Sequence, residues 1–502
     1  MAKLPAERAR TYQGLLDRPV RPGGLPGVAE VVEAGAEDSD AVHYDTADLR
    51  LRAHGVALWR RTDGGRPGWL LTLPGEAGAL RELSWAEPTD ARPAEQAPEI
   101  PAEATELVRA YARGAALRPV LRVRTSRART LLLDARGRTL ARLDGDEVRA
   151  QVLDRRHAET AGWAQTAVTL LHGRRRLLRV LDRKLRRRRL RPLAPAADRY
   201  PGASGPVPHP VRPESGSTGA ALTAYLRAQT SALLALDGAV RRDEPDAVHR
   251  MRVCARRLRS ALTSARPLLR PGRTEGLREE LRLLGQVLGA ARDAETTGAR
   301  LAGQAAELPA VAEPARLAEW ITDWSDRRYQ EAHREAREFL DGERYFALLA
   351  ALEQLAAEPP LRARAARGAA ESSRLLRREQ RRTRRRIRAA LAQQVGPHRD
   401  EALHDARKAA KRARYTAELV GPGGAELARR MRAVQEALGG YQDAVVAERL
   451  LPELASVASS EGLDGFGFGI LYARQRQYAE AELATARTAW RRAAKASLAE
   501  LG

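Results

Sequence analysis

The sequence predicts a multidomain α+β protein, with a mostly antiparallel β domain first and an all-helical bundle after it. Three observations predict this. Residues 1–170 hold short strand-like runs closed by turn signals. Residues 192–218 are rich in Pro, Gly and Ser, which is linker composition. Beyond Thr218 the pattern becomes Ala/Leu/Arg/Glu with helical periodicity, and it contains a duplicated segment. The expected boundaries are 1–190 for the β domain, 191–217 for the linker and 218–502 for the helical domain, with repeat halves at about 218–360 and 371–500.

In the first domain the strand-like stretches are Gly68–Pro74, Val120–Thr125, Thr130–Asp134, Thr139–Leu143 and Gln165–Leu171. Asp63-Gly64-Gly65 and Asp134-Ala135-Arg136-Gly137 read as hairpin connections. Ala102–Gly114 reads as a helix, and residues 174–191 as a short basic helix. In the second domain, breaks at Pro267, Pro271, Pro309, Pro359–Pro360 and Gly421–Gly424 separate helices of bundle length.

Composition bounds the function. A chain of 502 residues is too long for one ordinary core. Lys and Arg outnumber Asp and Glu 87 to 64, a net +23, which implies a polyanionic partner: nucleic acid, anionic lipid or polyphosphate. Aromatic residues are 4% of the chain, thin for a protein that stacks bases, and no helix-turn-helix, zinc-finger or RNA-recognition signature is present. Nucleic acid is therefore not the favoured partner. The single cysteine, Cys254, excludes an intramolecular disulfide and a thiolate metal cluster, and fits a reducing cytoplasm. No apolar run is long enough to span a membrane and no secretory core opens the sequence, so a cytoplasmic location is expected. No Ser-His-Asp, Walker A or HExxH pattern supports other chemistry.

The duplication is the strongest signal. Residues 248–259 read VHRMRVCARRLR and residues 403–414 read LHDARKAAKRAR. Aligned, His249 meets His404, Arg252 meets Arg407, Arg256 meets Lys411, Arg257 meets Arg412 and Arg259 meets Arg414. Leu288-Gly289 and Asp293 downstream answer Leu438-Gly439 and Asp443, and long helices at Ala220–Arg241 and Glu371–Val395 precede the copies. At 100° per residue, His249, Arg252, Arg256 and Arg259 share an arc of roughly 80°. Val248, Met251, Ala255, Leu258 and Leu262 form the adjacent apolar face. His404, Arg407, Lys411 and Arg414 repeat the stripe beside Leu403, Ala406, Ala410, Ala413 and Ala417. One basic stripe is ordinarily a solvated face. Two in the same phase, each repelling itself along the helix, point to an anion that neutralises them.

These segments resemble the CHAD domain, the conserved-histidine α-helical domain. His249 through Arg259 matches its first motif and His404 through Tyr415 its second, and the likeness covers roughly residues 215–500. It implies two four-helix bundles related by a pseudo-twofold axis, and a basic groove that binds inorganic polyphosphate. By position, His249, Arg252, Arg256, Arg257, His404, Arg407, Lys411 and Arg412 would line that groove, with Arg259, Lys408 and Arg414 beside them. Arg374, Arg378 and Arg381 of the preceding helix are further candidates. Arg forks and Lys points suit phosphate oxygens without reading any base. Association with polyphosphate granules is the corresponding expectation for location.

Residues 43–74 resemble the CYTH domain, a triphosphate-tunnel fold. Tyr44-Asp45-Thr46, Leu49-Arg50-Leu51, Gly55, Arg61 and Gly68-Trp69 match, and Arg113-Gly114, Arg127, Gly137 and Asp146 continue the match over roughly residues 5–190. The likeness implies an antiparallel β-barrel, closed in catalytic members, where metal-holding carboxylates stand on the strands. This sequence departs from that pattern. Where an E-x-E-x-K strand should open the domain it reads Glu7-Arg8-Ala9-Arg10-Thr11. Trp59 stands where Arg is usual, Thr72 replaces a Lys, and the late acidic strand reads Gln165-Thr166-Ala167-Val168-Thr169. Asp146 and Glu82 are the surviving acidic candidates. The expectation is a degenerate, non-catalytic barrel with no metal and no cofactor, in which Arg50, Arg52, Arg61, Arg81, Arg124 and Arg127 make an anion-binding tunnel. The alternatives are a metal-dependent triphosphatase with unusual ligands, or a basic protein associated with nucleic acid.

Overall fold

A computed structural model describes residues 9–16, 18, 20–61, 68–75, 80–86, 99–153, 159–193 and 213–495. Glu7 and Arg8 of the expected acidic strand, the turn at Asp63-Gly64-Gly65 and most of the expected linker lie outside them. The chain divides into two compact units, Met1–Val207 and Pro208–Gly502.

The first unit runs β1 (Ala9–Gln13), β2 (Glu30–Asp45), α1 (Arg50–Ala53), β3 (Ala57–Arg61), β4 (Gly68–Pro74), β5 (Leu80–Ala86), α2 (Ala102–Ala112), β6 (Arg118–Leu133), β7 (Thr139–Val152), β8 (Thr160–Leu170), α3 (Arg175–Arg187) and β9 (Arg191–Pro192). The strands form one antiparallel sheet in the order β5-β4-β3-β2-β6-β7-β8-β1-β9. The antiparallel sheet is as expected; among the described residues no pairing joins β5 to β9. One edge, β9, is two residues long and contains Pro192, which has no N–H to donate.

Two strand-like stretches, Val120–Thr125 and Thr130–Asp134, turn out to be parts of the single strand β6. Its partner β2 reads EVVEAGAEDSDAVHYD and has little intrinsic strand preference. Opposite charges across the ladder supply what propensity lacks: Glu37 faces Arg127 and Asp40 faces Arg124. Arg122 also donates Nε to Asp40 at 2.9 Å. The β6–β7 turn is held by Asp134, whose Oδ1 accepts the N–H groups of Arg136 and Arg138 at 2.9 and 3.0 Å, with Gly137 at φ 74°. Asp45 is buried and locks α1, accepting the N–H groups of Thr46, Leu51 and Arg52 at 2.6–3.0 Å. Helix α3 places Leu177, Leu178, Leu181 and Leu185 on the sheet's core with Tyr12, Leu132 and Val168.

The second unit is helical: α4 (Thr218–Arg241), α5 (Ala247–Ser264), α6 (Glu275–Ala306), α7 (Pro314–Asp341), α8 (Glu343–Ala357), α9 (Ala369–Leu391), α10 (Pro397–Val420), α11 (Ala425–Ser460) and α12 (Phe466–Lys495). Consecutive long helices pack on one another, α4 to α7 and then α9 to α12, while α8 returns against α4. Ser217 caps α4, its Oγ accepting the Ala220 N–H at 3.0 Å. Helix α11 continues through Pro452. The predicted apolar faces of α5 and α10 are buried, and the two helices lie against each other. A shared core of α6, α7, α11 and α12 around Ile321, Leu451 and Phe468 joins the halves elsewhere. Asp237 and Arg241 form a buried ion pair at 2.6 Å, extended by Tyr345 and Asp341. No described helix is long and apolar enough to cross a membrane.

Candidate anion-binding site

Where α5 meets α10 the two copies of the motif bring their cations together. Arg252 and Arg256 from α5 act electrostatically on both Arg407 and Lys411 from α10, with Arg414 adding to Lys411. Arg252 has a carboxylate, its Nη1 lying 2.8 Å from Asp293 Oδ1 on α6. Arg256 donates Nε to the buried Tyr415 hydroxyl at 2.9 Å. Neither Arg407 nor Lys411 makes an ion pair among the described residues, and the buried Arg407 Nε has no hydrogen-bond partner.

The cost of this arrangement shows in the protonation equilibria. Burial, then the guanidiniums of Arg256, Arg407, Arg252 and Arg414, push the Lys411 amine down to about 6. Burial, and then Arg256 and Arg252, lower Arg407 against the opposing pull of Asp443 and Asp293. His249 is lowered by burial and by Arg292, Arg256 and Arg252. His404 is lowered by burial, Lys408 and Arg407. Two glycines make room. A Cβ at Gly289 would lie 3.4 Å from Arg252 Nη2, and one at Gly439 3.3 Å from Arg407 Nη2, so each guanidinium lies flat across the facing helix.

The other candidates divide into three groups. Arg257 and Arg414 straddle Glu418, with N–O distances of 3.2 and 3.1 Å, and both lie near the face of the Tyr415 ring. Arg412 points toward α9, where its Nε meets the buried Glu379 at 2.6 Å. Arg259 continues the α5 stripe toward Arg278 and Arg282 of α6 and is lowered by burial and Arg256. Lys408 is exposed and pairs with Asp405 at 2.9 Å. Arg374, Arg378 and Arg381 lie on the exposed side of α9. Two other α9 arginines bear on α10: Arg382, whose guanidinium feels Arg412, and Arg386, 3.4 Å from Asp405.

In the first unit the tunnel candidates do not form one set. Arg127 grips the buried Asp146 with two nitrogens, at 2.6 and 3.0 Å, and Gln165 donates to the same carboxylate at 3.0 Å. Arg129 and Arg142 pair with Asp144 beside it, at 3.0 and 2.8 Å. Arg124 stands three residues from Arg127 on the regular stretch of β6, hence on the opposite face, near Asp40. Arg50 is held by Asp48 and the Ala112 carbonyl. Burial, and then Arg52, also on α1, lower His43. Arg61 lies over Trp59, and Arg81 and Glu82 are exposed on β5.

Residues 224–452 match the family described as the CHAD domain. The chain is also 34% identical over 476 residues to the uncharacterized proteins MT2285 and Rv2226 of Mycobacterium tuberculosis (strains CDC 1551 / Oshkosh and ATCC 25618 / H37Rv), covering 91% of this chain and 90% of theirs. The chain belongs to the CHAD-domain proteins. Among solved structures it is similar to PptA from Streptomyces chartreusis, with 24% identity, a TM-score of 0.47, 55% of this chain and 99% of that one. The CHAD domain from the plant Ricinus communis gives 26%, 0.43, 55% and 96%. A putative adenylate cyclase from Bacillus halodurans gives 13% identity and a TM-score of 0.22 over 32% of this chain and 79% of that one.

The CHAD domain's geometry also exposes residues that the motifs alone did not. Arg292 bears on His249 and Gln442 on His404. The signal was one residue away: Arg292 precedes Asp293 just as Gln442 precedes Asp443, so the downstream alignment already placed them as equivalents.

Proposed function

We propose that this CHAD domain binds inorganic polyphosphate along the face where α5 meets α10. The observation that carries the reading is the cluster Arg252, Arg256, Arg407 and Lys411, drawn from both motif copies, in which Arg407 and Lys411 have no ion-pair partner among the described residues. A half-buried group of mutually repelling cations stabilises an anion by charge-assisted hydrogen bonds and is itself relieved by it. Guanidiniums flattened across Gly289 and Gly439 keep their donor edges in fixed planes, which suits successive phosphate oxygens. His249 and His404 border the cluster and take up protons more readily once phosphate arrives. On this reading Arg257, Arg412 and Arg414 hold the framework through Glu418 and Glu379, while Arg259 extends the groove. Polyphosphate granules are then the natural place for the protein.

The N-terminal sheet is read as a degenerate tunnel-type module. Its Asp146 carboxylate is already satisfied by Arg127 and Gln165, and a guanidinium in that position opposes a divalent cation. This favours binding over metal-dependent triphosphate hydrolysis. The test is titration with long-chain polyphosphate, tripolyphosphate and duplex DNA at matched salt, using the full chain and its R252Q/R256Q and R407Q/K411Q variants. Each pair of changes should lower the salt slope for polyphosphate by about 1.4, the share of two cations released from a single-stranded polyanion. Slopes unchanged in both variants would move the anion elsewhere.

A further inference from the structure

Helix α3 holds a row of arginines that no contact among the described residues explains. Arg176, Arg179, Arg183 and Arg187 fall within an arc of about 80° and extend along about 16 Å of helix. All four are exposed, and among the described residues none makes a hydrogen bond or ion pair. The opposite side of the helix, Leu177, Leu178, Leu181 and Leu185, is buried in the sheet's core. The helix's acidic residue, Asp182, is already occupied, accepting Tyr12 Oη at 2.8 Å and meeting Arg10 at 3.0 Å and Arg186 at 3.1 Å. Like charges three and four residues apart destabilise a helix, so the fold spends core contacts to hold this row in place.

We propose that this row on α3 is a second polyphosphate-binding surface, distinct from the α5–α10 cluster. The inference rests on polyphosphate being the ligand of the CHAD domain. The helix lies flat, tied down by Lys184 Nζ to the Gly23 carbonyl at 2.7 Å and Arg188 Nη1 to the Arg18 carbonyl at 2.6 Å. Its leucines are spent on the core, so it has no apolar face to insert into a lipid surface. The row is a single line of charge about 16 Å long, which matches one phosphate chain better than the two backbones of duplex DNA. A flexible single chain can follow it. Arg174–Pro192 contains no aromatic residue, so the surface offers bases nothing to stack on. A linear chain of phosphates without bases fits what remains.

The experiment compares the full chain with its R176Q/R179Q/R183Q/R187Q variant, which leaves the leucine face intact. The probes are long-chain polyphosphate, tripolyphosphate and short duplex DNA over a salt series. The expected result is a fall of at least about tenfold in affinity for long-chain polyphosphate and a salt slope shallower by about 3, with tripolyphosphate binding unchanged. An unaltered affinity and slope for the long chain overturns the proposal, as does a loss confined to DNA, which assigns the row to nucleic acid. An equal loss for tripolyphosphate also overturns it, because three phosphates span too little of a row about 16 Å long to feel all four changes as a long chain does. The R252Q/R256Q chain separates the two readings. If it keeps full affinity for every polyphosphate, the CHAD assignment fails; if only the α3 variant is silent, this proposal fails alone.

Discussion

Binding at the CHAD cluster should be coupled to proton uptake, and Lys411 sets the size of the effect. In the empty protein burial and four guanidiniums hold its amine near 6. At pH 8 it is therefore about 1% protonated, whereas an ordinary lysine would be fully charged. Phosphates entering beside Arg252, Arg256 and Arg407 reverse the sign of the local field and return the amine toward its usual range. Each bound site then takes up about one proton at pH 8, and polyphosphate affinity falls about tenfold per pH unit from pH 7 to 9. His249 and His404 add smaller uptakes at lower pH, because both are held below their ordinary value in the empty site. Calorimetry in buffers of different ionisation enthalpy measures the proton count directly. In K411M, which keeps the volume of the side chain, the uptake at pH 8 should vanish and the affinity should flatten with pH. The reasoning is refuted if the wild-type chain takes up no proton at pH 8, or if K411M takes up as many. Folding stability carries the same linkage. The unfolded lysine holds a proton that the folded one lacks between pH 6 and 10.5, so the empty domain should grow less stable as pH falls through that window.

Further outcomes follow from the neighbouring geometry. Leucine at both Gly289 and Gly439 would occupy the planes of the Arg252 and Arg407 guanidiniums; circular dichroism should show helix content retained, while polyphosphate affinity drops about tenfold to a hundredfold. Asp237→Ala should lower the stability of the helical unit by about 2 kcal/mol or more in urea unfolding, because it removes one of the two carboxylates on the buried Arg241 and the acceptor of the buried Tyr345 hydroxyl, and it should leave the salt slope of binding alone. With Mg²⁺ or Mn²⁺ the full chain should show no more than trace release of phosphate from triphosphates; turnover of about 1 s⁻¹ or faster would overturn the reading of Asp146 as a carboxylate committed to Arg127.

The legible parts of this chain were those where periodicity and duplication speak together. The apolar and basic stripes of α5 and α10 could be assigned residue by residue, because a 3.6-residue period repeated in two copies fixes the rotation of each helix. Helix α9 gave no such purchase. With arginine at nine of the fifteen positions from Arg374 to Arg388, its sequence leaves the facing side open, and Arg382 and Arg386, outside the candidates Arg374, Arg378 and Arg381, bear on α10. Strand β2 was invisible for a different reason. Its acidic residues favour a strand only once β6 supplies arginines across the ladder, and that pairing spans some eighty residues. The fate of Asp146 was hidden likewise, since its partner Arg127 is identified by register and not by spacing.

The duplication explains why the cluster exists at all. A single copy of the motif on a helix surface would be a solvated basic stripe, with its repulsion screened by water and salt. Two copies packed together face each other across one contact, and Arg252 and Arg256 in one row raise the cost of Arg407 and Lys411 in the other. The two halves resolve that cost differently. In the first, Arg252 has moved to within 2.8 Å of Asp293 and is neutralised in place. In the second, the equivalent Asp443 makes no ion pair with Arg407, and the carbonyl of Asp443 instead accepts Arg300 Nη2 at 2.7 Å. The position matching Arg256 is Lys411, the one cation of the four that can shed its charge at neutral pH. An all-arginine cluster would hold its full repulsion whether or not an anion were present. A lysine at that point lets the empty site relax by losing a proton and lets the filled site recover it.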